Sequence, residues 1–175
     1  MELLGLKIRN IASIADAEID FSDSPLKDEP VFLICGDTGA GKSTILDAVC
    51  LALYNEAPRL SSVKSEWLAD DAIPVGKRSD DDTVKTDDTR QFLRKGTGRG
   101  AVELLFSGND EKEYRAVWSI SRAYGKADGR LQKVEWTVEC NGEILKNRND
   151  VKAKIEAVTN IAGLPCWHRG ISPDF

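Results

Sequence analysis

The chain has 175 residues, 41% of them hydrophobic and 30% charged, with a formal net charge of −5. That length supports one domain with a sizeable core, and the acidic balance excludes a domain that grips nucleic acid by bulk charge alone, leaving only a local patch or a partner to make such a contact. The longest apolar stretches, 31–35 and 45–54, are too short to span a bilayer. No basic segment followed by a long apolar one opens the chain, so no signal peptide and no membrane partner are expected, and the expected location is cytoplasmic. Cys35, Cys50, Cys140 and Cys166 show no C-x-x-C spacing and read as free thiols of a reducing compartment. His168 is the single histidine, which rules out a multi-histidine metal site.

In chain order, residues 3–8 read as a first strand, and Ala17-Glu18-Ile19-Asp20-Phe21 alternates apolar and polar like a half-buried second strand. A polar connection over 22–28 leads to the apolar run Pro30-Val31-Phe32-Leu33-Ile34-Cys35, read as a short buried strand. A helix-length apolar segment follows from Ile45 to Tyr54, with Pro58 ending that region. Residues 61–93 crowd Asp70, Asp71, Asp80, Asp81, Asp82, Asp87 and Asp88 into a stretch of little periodicity. The expectation there is an acidic surface loop, a solvated face before a binding one, with a short helix near Asp88–Leu93.

Sheet returns at 100–107 and again at 113–121, joined by the turn Ser107-Gly108-Asn109-Asp110. A second loop around Gly125–Gly129 leads to a strand at 133–140. Asn141-Gly142 then makes a tight hairpin to Glu143-Ile144-Leu145. These strands form an antiparallel meander. Asn149 or Asp150 caps a last helix with Val151, Ile155, Val158 and Ile161 on one face. Trp118 and Trp136 fall at strand positions where an aromatic packs in a core, the second reading being base stacking.

The chemistry sits in Gly36-Asp37-Thr38-Gly39-Ala40-Gly41-Lys42-Ser43-Thr44, which fits the phosphate-binding pattern G-x-x-x-x-G-K-[ST] between a strand and a helix. Its glycines permit backbone angles closed to other residues and let main-chain amides approach phosphate oxygens. The positive end of the helix favours an anion. Lys42 is expected to reach the β- and γ-phosphates of ATP, and the Ser43 hydroxyl to ligate Mg²⁺. The bland alternative is a glycine-rich turn that merely starts a helix. Hydrolysis also needs an acidic residue ending an apolar strand, and no such run follows the P-loop; nor is there an LSGG signature. The residues thus bind phosphate without hydrolytic equipment of their own. Two classes stay open: a half-ATPase completed by distant sequence, and a self-contained nucleoside or nucleotide kinase.

The run Leu6-Lys7-Ile8-Arg9-Asn10-Ile11-Ala12-Ser13-Ile14, the segment Ile19-Asp20-Phe21 and residues 36–60 resemble the N-terminus of SbcC. Asp87-Asp88-Thr89-Arg90, Leu93-Arg94-Lys95-Gly96 and the strand at 101–106 share that resemblance. SbcC proteins are SMC-like ATPase subunits of bacterial DNA-repair nucleases, and RecF- or RecN-type ATPases are the nearest alternatives. The resemblance implies an α/β P-loop NTPase, lobe I of an ABC-type ATPase head, with a mixed sheet around the P-loop helix and an antiparallel β meander. It implies a lobe over residues 1–164, and ATP and Mg²⁺ on Gly36–Thr44. Arg9, Asn10 and Ser13 would face the base and ribose side. Related proteins often carry a basic residue where this chain has Ala12. The implied partners are a C-terminal lobe of the same protein, a second ATPase head, an SbcD-type nuclease subunit and double-stranded DNA.

The chain departs from the resemblance after Leu164. A segment ending Leu-Ala-Gln-Gly-Asp-Phe, with the Q-loop glutamine, would continue an SbcC there; Pro165-Cys166-Trp167-His168-Arg169 and six further residues stand instead. Codons for 165–173 can be written so that a neighbouring frame encodes Leu-Leu-Ala-Gln-Gly-Asp-Phe-Ala. The expectation is therefore a frameshifted, non-native tail over 165–175 and a truncated lobe, in which Cys166, Trp167 and His168 carry no function.

Overall fold

Alternation along β1 (Glu2–Ile11) sends Leu6 and Ile8 fully inside while Lys7 and Arg9 face outward, and the left-handed Asn10 (φ 52°) breaks the alternation so that Ile11 is buried as well. The computed structural model describes residues 1–23, 25–27, 33–61, 73–75 and 83–161. β1 pairs on one side with β2 (Ile14–Asp20) and on the other with β5 (Arg99–Ser107). The sheet continues through β6 (Glu113–Ser121), β7 (Glu135–Cys140) and β8 (Glu143–Leu145) in the order β2-β1-β5-β6-β7-β8. Tight turns join β5 to β6 and β7 to β8, as the turn residues predict, a further one joins β1 to β2, and every pairing in this sheet is antiparallel.

Among the described residues the sheet is wholly antiparallel, where a mixed one was expected. The parallel member was to come from the apolar run at 30–35, of which 30–32 lie outside the described residues. Leu33, Ile34 and Cys35 belong to no strand, and Leu33 is 85% exposed. Hydrophobicity alone does not make a strand: backbone donors and acceptors need a ladder partner, and among the described residues none pairs with this run.

One face of the sheet is covered by α1 (Lys42–Tyr54), which buries Ala48, Leu51 and Ala52 completely. α3 (Arg148–Thr159) packs beside α1 and over β7 through Val151 and Ile155. Its cap is Asn147, whose side chain accepts from the Asn149 amide at 2.9 Å, earlier than the sequence suggests. Trp118 and Trp136 sit opposite each other in the β6–β7 register and point under α1. Trp118 Nε1 donates to Asn55 Oδ1 and Trp136 Nε1 to the Ala52 carbonyl, both at 2.7 Å. Buried and hydrogen-bonded to the end of α1, neither ring is available to stack on a base.

Asn55, left-handed at φ 52°, ends α1, and Pro58 opens the short α2 (Pro58–Ser61) where its fixed φ suits a first turn. The stretch 61–93 is not a loop throughout. It contains a two-stranded antiparallel ladder, β3 (Ile73–Pro74) with β4 (Thr83–Val84), and the short helix expected near Asp88–Leu93 is the 3₁₀ turn at Thr89–Phe92. Val84, Phe92 and Leu93 are buried, an apolar anchor too sparse to show periodicity among the aspartates. Residues 62–72 and 76–82, with Asp70, Asp71 and Asp80–Asp82, lie outside the described residues, as does the tail at 165–175.

Candidate functional site

The P-loop is built by three glycines of positive φ, Gly36 (155°), Gly39 (87°) and Gly41 (95°). Gly41 is the N-cap of α1, so it offers no capping side chain, and no acidic residue stands in the first turn. The first amides of a helix have no intrahelical acceptor, and here neither a cap nor a carboxylate meets the positive helix end. A Cβ on Gly41 would lie 3.4 Å from Ile14 Cγ1 and 3.5 Å from Ser13 Oγ, so the loop sits directly on the β1–β2 turn. Asp37, Thr38 and Ala40 are exposed, and a single turn bond runs from the Ala40 amide to the Asp37 carbonyl at 3.1 Å. Lys42 lays its ammonium across the loop, donating to the Gly36 carbonyl at 2.6 Å and the Asp37 carbonyl at 2.8 Å. Orphan amides, glycine-permitted curvature and a lysine held over the same turn fit the phosphates of a nucleotide.

Behind the loop lies a network that motif matching does not reveal. Thr44 is 3% exposed, and its hydroxyl stands 3.2 Å from Ser13 Oγ. Arg59, from α2, donates to Thr44 Oγ1 at 3.3 Å and to the Asp47 carboxylate, and its guanidinium lies 5.3 Å from the centre of the Phe92 ring. Burial pushes the Asp47 carboxyl above the usual carboxylate range, and the Arg59 charge opposes that push. One turn further on, burial raises the Cys50 thiol to about 12, with the Asp47 charge adding to it. The signal was a carboxylate placed within an apolar helix run, because a buried charge requires a partner; Arg59 is that partner.

Among the other expected site residues, Ser13 is brought against Gly41 and Thr44. Arg9 pairs with Asp16 across β1–β2 at 3.6 Å on the exposed face, and Asn10 donates to the Arg99 carbonyl at 2.9 Å, fixing the end of β1 to β5. Both contacts hold β1 to its neighbouring strands, and neither reaches the P-loop glycines. Arg94, part of the Leu93–Gly96 segment of the resemblance but given no role there, ties the β1–β2 turn down by donating to the Ala12 and Ser13 carbonyls at 3.1 and 2.6 Å. Among the described residues no group of three or more His, Cys, Asp or Glu side chains could hold a metal, and no helix is long and apolar enough to cross a membrane.

Comparison with known proteins bears on the family and the fold. The chain is 41% identical over 140 residues to the SbcC subunit of the SbcCD nuclease of Pseudomonas aeruginosa, covering 79% of this chain and 11% of that protein. It is 38% identical over 167 residues to the SbcC subunit of Rhodobacter capsulatus, covering 93% of this chain and 13% of that one. The DNA double-strand break repair Rad50 ATPase of Methanopyrus kandleri is 29% identical over 140 residues, covering 78% and 12%. This chain thus spans only 11–13% of the length of these relatives. A solved structure of the recombination mediator RecF with ATP superposes with a TM-score of 0.53 at 16% identity, over 86% of this chain and 29% of that chain, a likeness of fold alone. The AAA domain profile matches residues 5–163, and the chain belongs to that family of P-loop ATPases.

Proposed function

We propose that this chain is the ATP-binding lobe of an SbcC-type ATPase head that serves nuclease processing of double-stranded DNA ends. The observation that carries the reading is the P-loop turning through positive-φ glycines onto an uncapped helix start with no acidic first turn. Gly36–Thr44 cradles the phosphates through main-chain amides, Lys42 leaves its carbonyl partners for the β- and γ-phosphates, and the Ser43 hydroxyl holds Mg²⁺. Held there, Mg²⁺ would supply charge neutralisation at the phosphates. Ser13 braces Gly41 and Thr44, while Arg9 and Asn10 border the base and ribose side.

Hydrolysis on this reading belongs to a head completed by a second lobe and a second ATPase head, working with an SbcD-type nuclease subunit on DNA. Leu33, Ile34 and Leu46, 85%, 41% and 47% exposed, flank the P-loop in sequence and support burial of that side by another lobe. A fluorescent ATP titration tests the core of the proposal. Lys42→Ala should weaken binding at least about tenfold, the scale of a lost charge-assisted phosphate contact. Equal affinities would reject the P-loop as the nucleotide site, and rapid turnover by the purified chain would favour a self-contained enzyme instead.

A further inference from the structure

Between β6 and β7 the chain makes a tight turn whose geometry and occupant disagree. The Lys126 amide donates to the Ala123 carbonyl at 3.2 Å, and the two central residues, Tyr124 and Gly125, are both left-handed at φ 58° and 65°. Two successive positive φ values define a mirror-image turn whose ordinary occupants are Asn, Asp and Gly. This chain places a tyrosine there, 93% exposed, so the ring gains no burial that would offset the unfavourable backbone angle.

The turn is also held rigidly. A Cβ on Gly98 would fall 1.9 Å from the Gly125 carbonyl oxygen, and one on Gly129 would fall 2.3 Å from that of Ala123, so backbone packs on backbone at both sides. Arg122 is 6% exposed and donates to the Gly129 carbonyl at 2.9 Å and to the Val75 carbonyl. The Arg122 amide donates to the Gly98 carbonyl at 2.8 Å, and the Ala123 amide to the Arg130 carbonyl at 2.8 Å. A fixed turn that presents a bare aromatic ring in a strained conformation is a rigid platform.

Its surroundings select the occupant. Arg99 packs its guanidinium against Gly125, and exposed Lys126 and Arg130 lie within six residues of Tyr124. None of these three forms an ion pair among the described residues, and Asp128 is the only acidic residue in the turn. In a chain of net charge −5 this turn carries exposed cations and a single carboxylate on the same short segment as an exposed aromatic ring. Aromatic faces with flanking cations bind single-stranded nucleic acid, the ring stacking on a base while the cations meet phosphates. We propose that the Tyr124 turn is a stacking platform for an unpaired nucleic-acid strand, with Arg99, Lys126 and Arg130 as its phosphate contacts. The site is separate from the P-loop, so it stands or falls independently of ATP binding.

The test uses the 175-residue chain without nucleotide and a short oligothymidylate carrying a single 2-aminopurine, followed by fluorescence and by anisotropy at several salt concentrations. The wild type should bind and quench the probe. Tyr124→Gly should weaken binding by roughly five- to 150-fold, the range for loss of one stacked base, while raising the Tm because glycine accepts the turn. Tyr124→Trp should retain binding and quenching. Lys126→Gln with Arg130→Gln should lower the magnitude of the salt slope by about 1.4, the single-strand value for two phosphate contacts. Absence of wild-type binding overturns the proposal, as does equal affinity of Tyr124→Gly, and so does a Tyr124→Gly variant that melts earlier, which makes the ring structural. Binding of a peptide or protein with no oligonucleotide binding would also overturn it.

Discussion

Replacing Arg59 with methionine keeps a stem of similar volume and removes one charge from a pair whose members differ sharply in exposure. Asp47 is 2% exposed at its side chain and Arg59 is 47% exposed. Deleting one member of a fully buried pair costs about 3–5 kcal/mol, but about half of the Arg59 side chain is already in water and the abandoned carboxylate can take up a proton. We therefore expect a loss of about 2 kcal/mol near neutral pH. In a chain of this length that corresponds to a Tm lower by about 4–8 °C. Of that loss, roughly 0.5–1 kcal/mol is the contact of the guanidinium with the Phe92 ring and is independent of pH.

The remainder depends on pH with a definite sign. Burial raises the Asp47 carboxyl above its ordinary value, so the native state binds this proton more readily than the unfolded chain does. The favourable contribution is complete below the ordinary carboxylate range and is lost as pH rises through the raised value. Arg59 opposes the rise, so removing it pushes the carboxyl higher and extends the losing window toward neutrality. Thermal denaturation followed by circular dichroism at acidic and neutral pH should show the Arg59→Met penalty growing with pH. Asp47→Asn should flatten the dependence, because the amide has no charge to desolvate. A penalty of equal size at both pH values would refute the reasoning, leaving packing on Phe92 as the whole contribution of Arg59.

Further predictions address the same elements. Gly41→Ala, at φ 95° and with Ile14 Cγ1 3.4 Å from the new Cβ, should cost about 1–2 kcal/mol and weaken nucleotide binding, as denaturant titration and ATP titration would show. Trp118→Phe leaves the Asn55 carboxamide oxygen buried without its donor and should cost about 1–3 kcal/mol in urea unfolding, while a change below a few tenths would show that water replaces the bond. Iodoacetamide at about pH 8, near the ordinary thiol range, should label exposed Cys35 in the native chain and spare Cys50, whose thiol is pushed up to about 12. Mass mapping that finds Cys50 modified without denaturant would mean that α1 opens locally.

The long strands of the meander were legible because they alternate, as in Tyr114, Ala116, Trp118 and Ile120 facing inward along β6. The helix after the P-loop was legible because its apolar run exceeds strand length and follows glycines that can only turn. Reading failed where the signal was hydrophobicity without a partner. Residues 33–35 are as apolar as a buried strand, yet strand formation is a property of two segments, and a sequence window contains one. The acidic stretch was legible at its end, where the 3₁₀ turn Thr89–Phe92 falls within the short helix expected near Asp88–Leu93, but its apolar anchors were not. Val84, Phe92 and Leu93 anchor it at irregular intervals, and irregular anchors leave no period to detect.

The site was half legible for a related reason. A P-loop is recognised by residues adjacent in sequence, because one turn must curve around one phosphate group. The groups that hold this turn in place come from further away: Ser13 from the β1–β2 turn, Arg59 from α2, and Arg94 after the 3₁₀ turn. What the sequence did contain was a mismatch of residue and surroundings at two positions. Asp47 is charged within an apolar helix, and Tyr124 occupies a turn fit for glycine. Each departs locally from what folding alone would choose. At Asp47 the departure is resolved inside the chain by Arg59, so it supports the P-loop helix. At Tyr124 none of the described residues covers the ring, and the unpaired strand proposed above is the contact that compensates it.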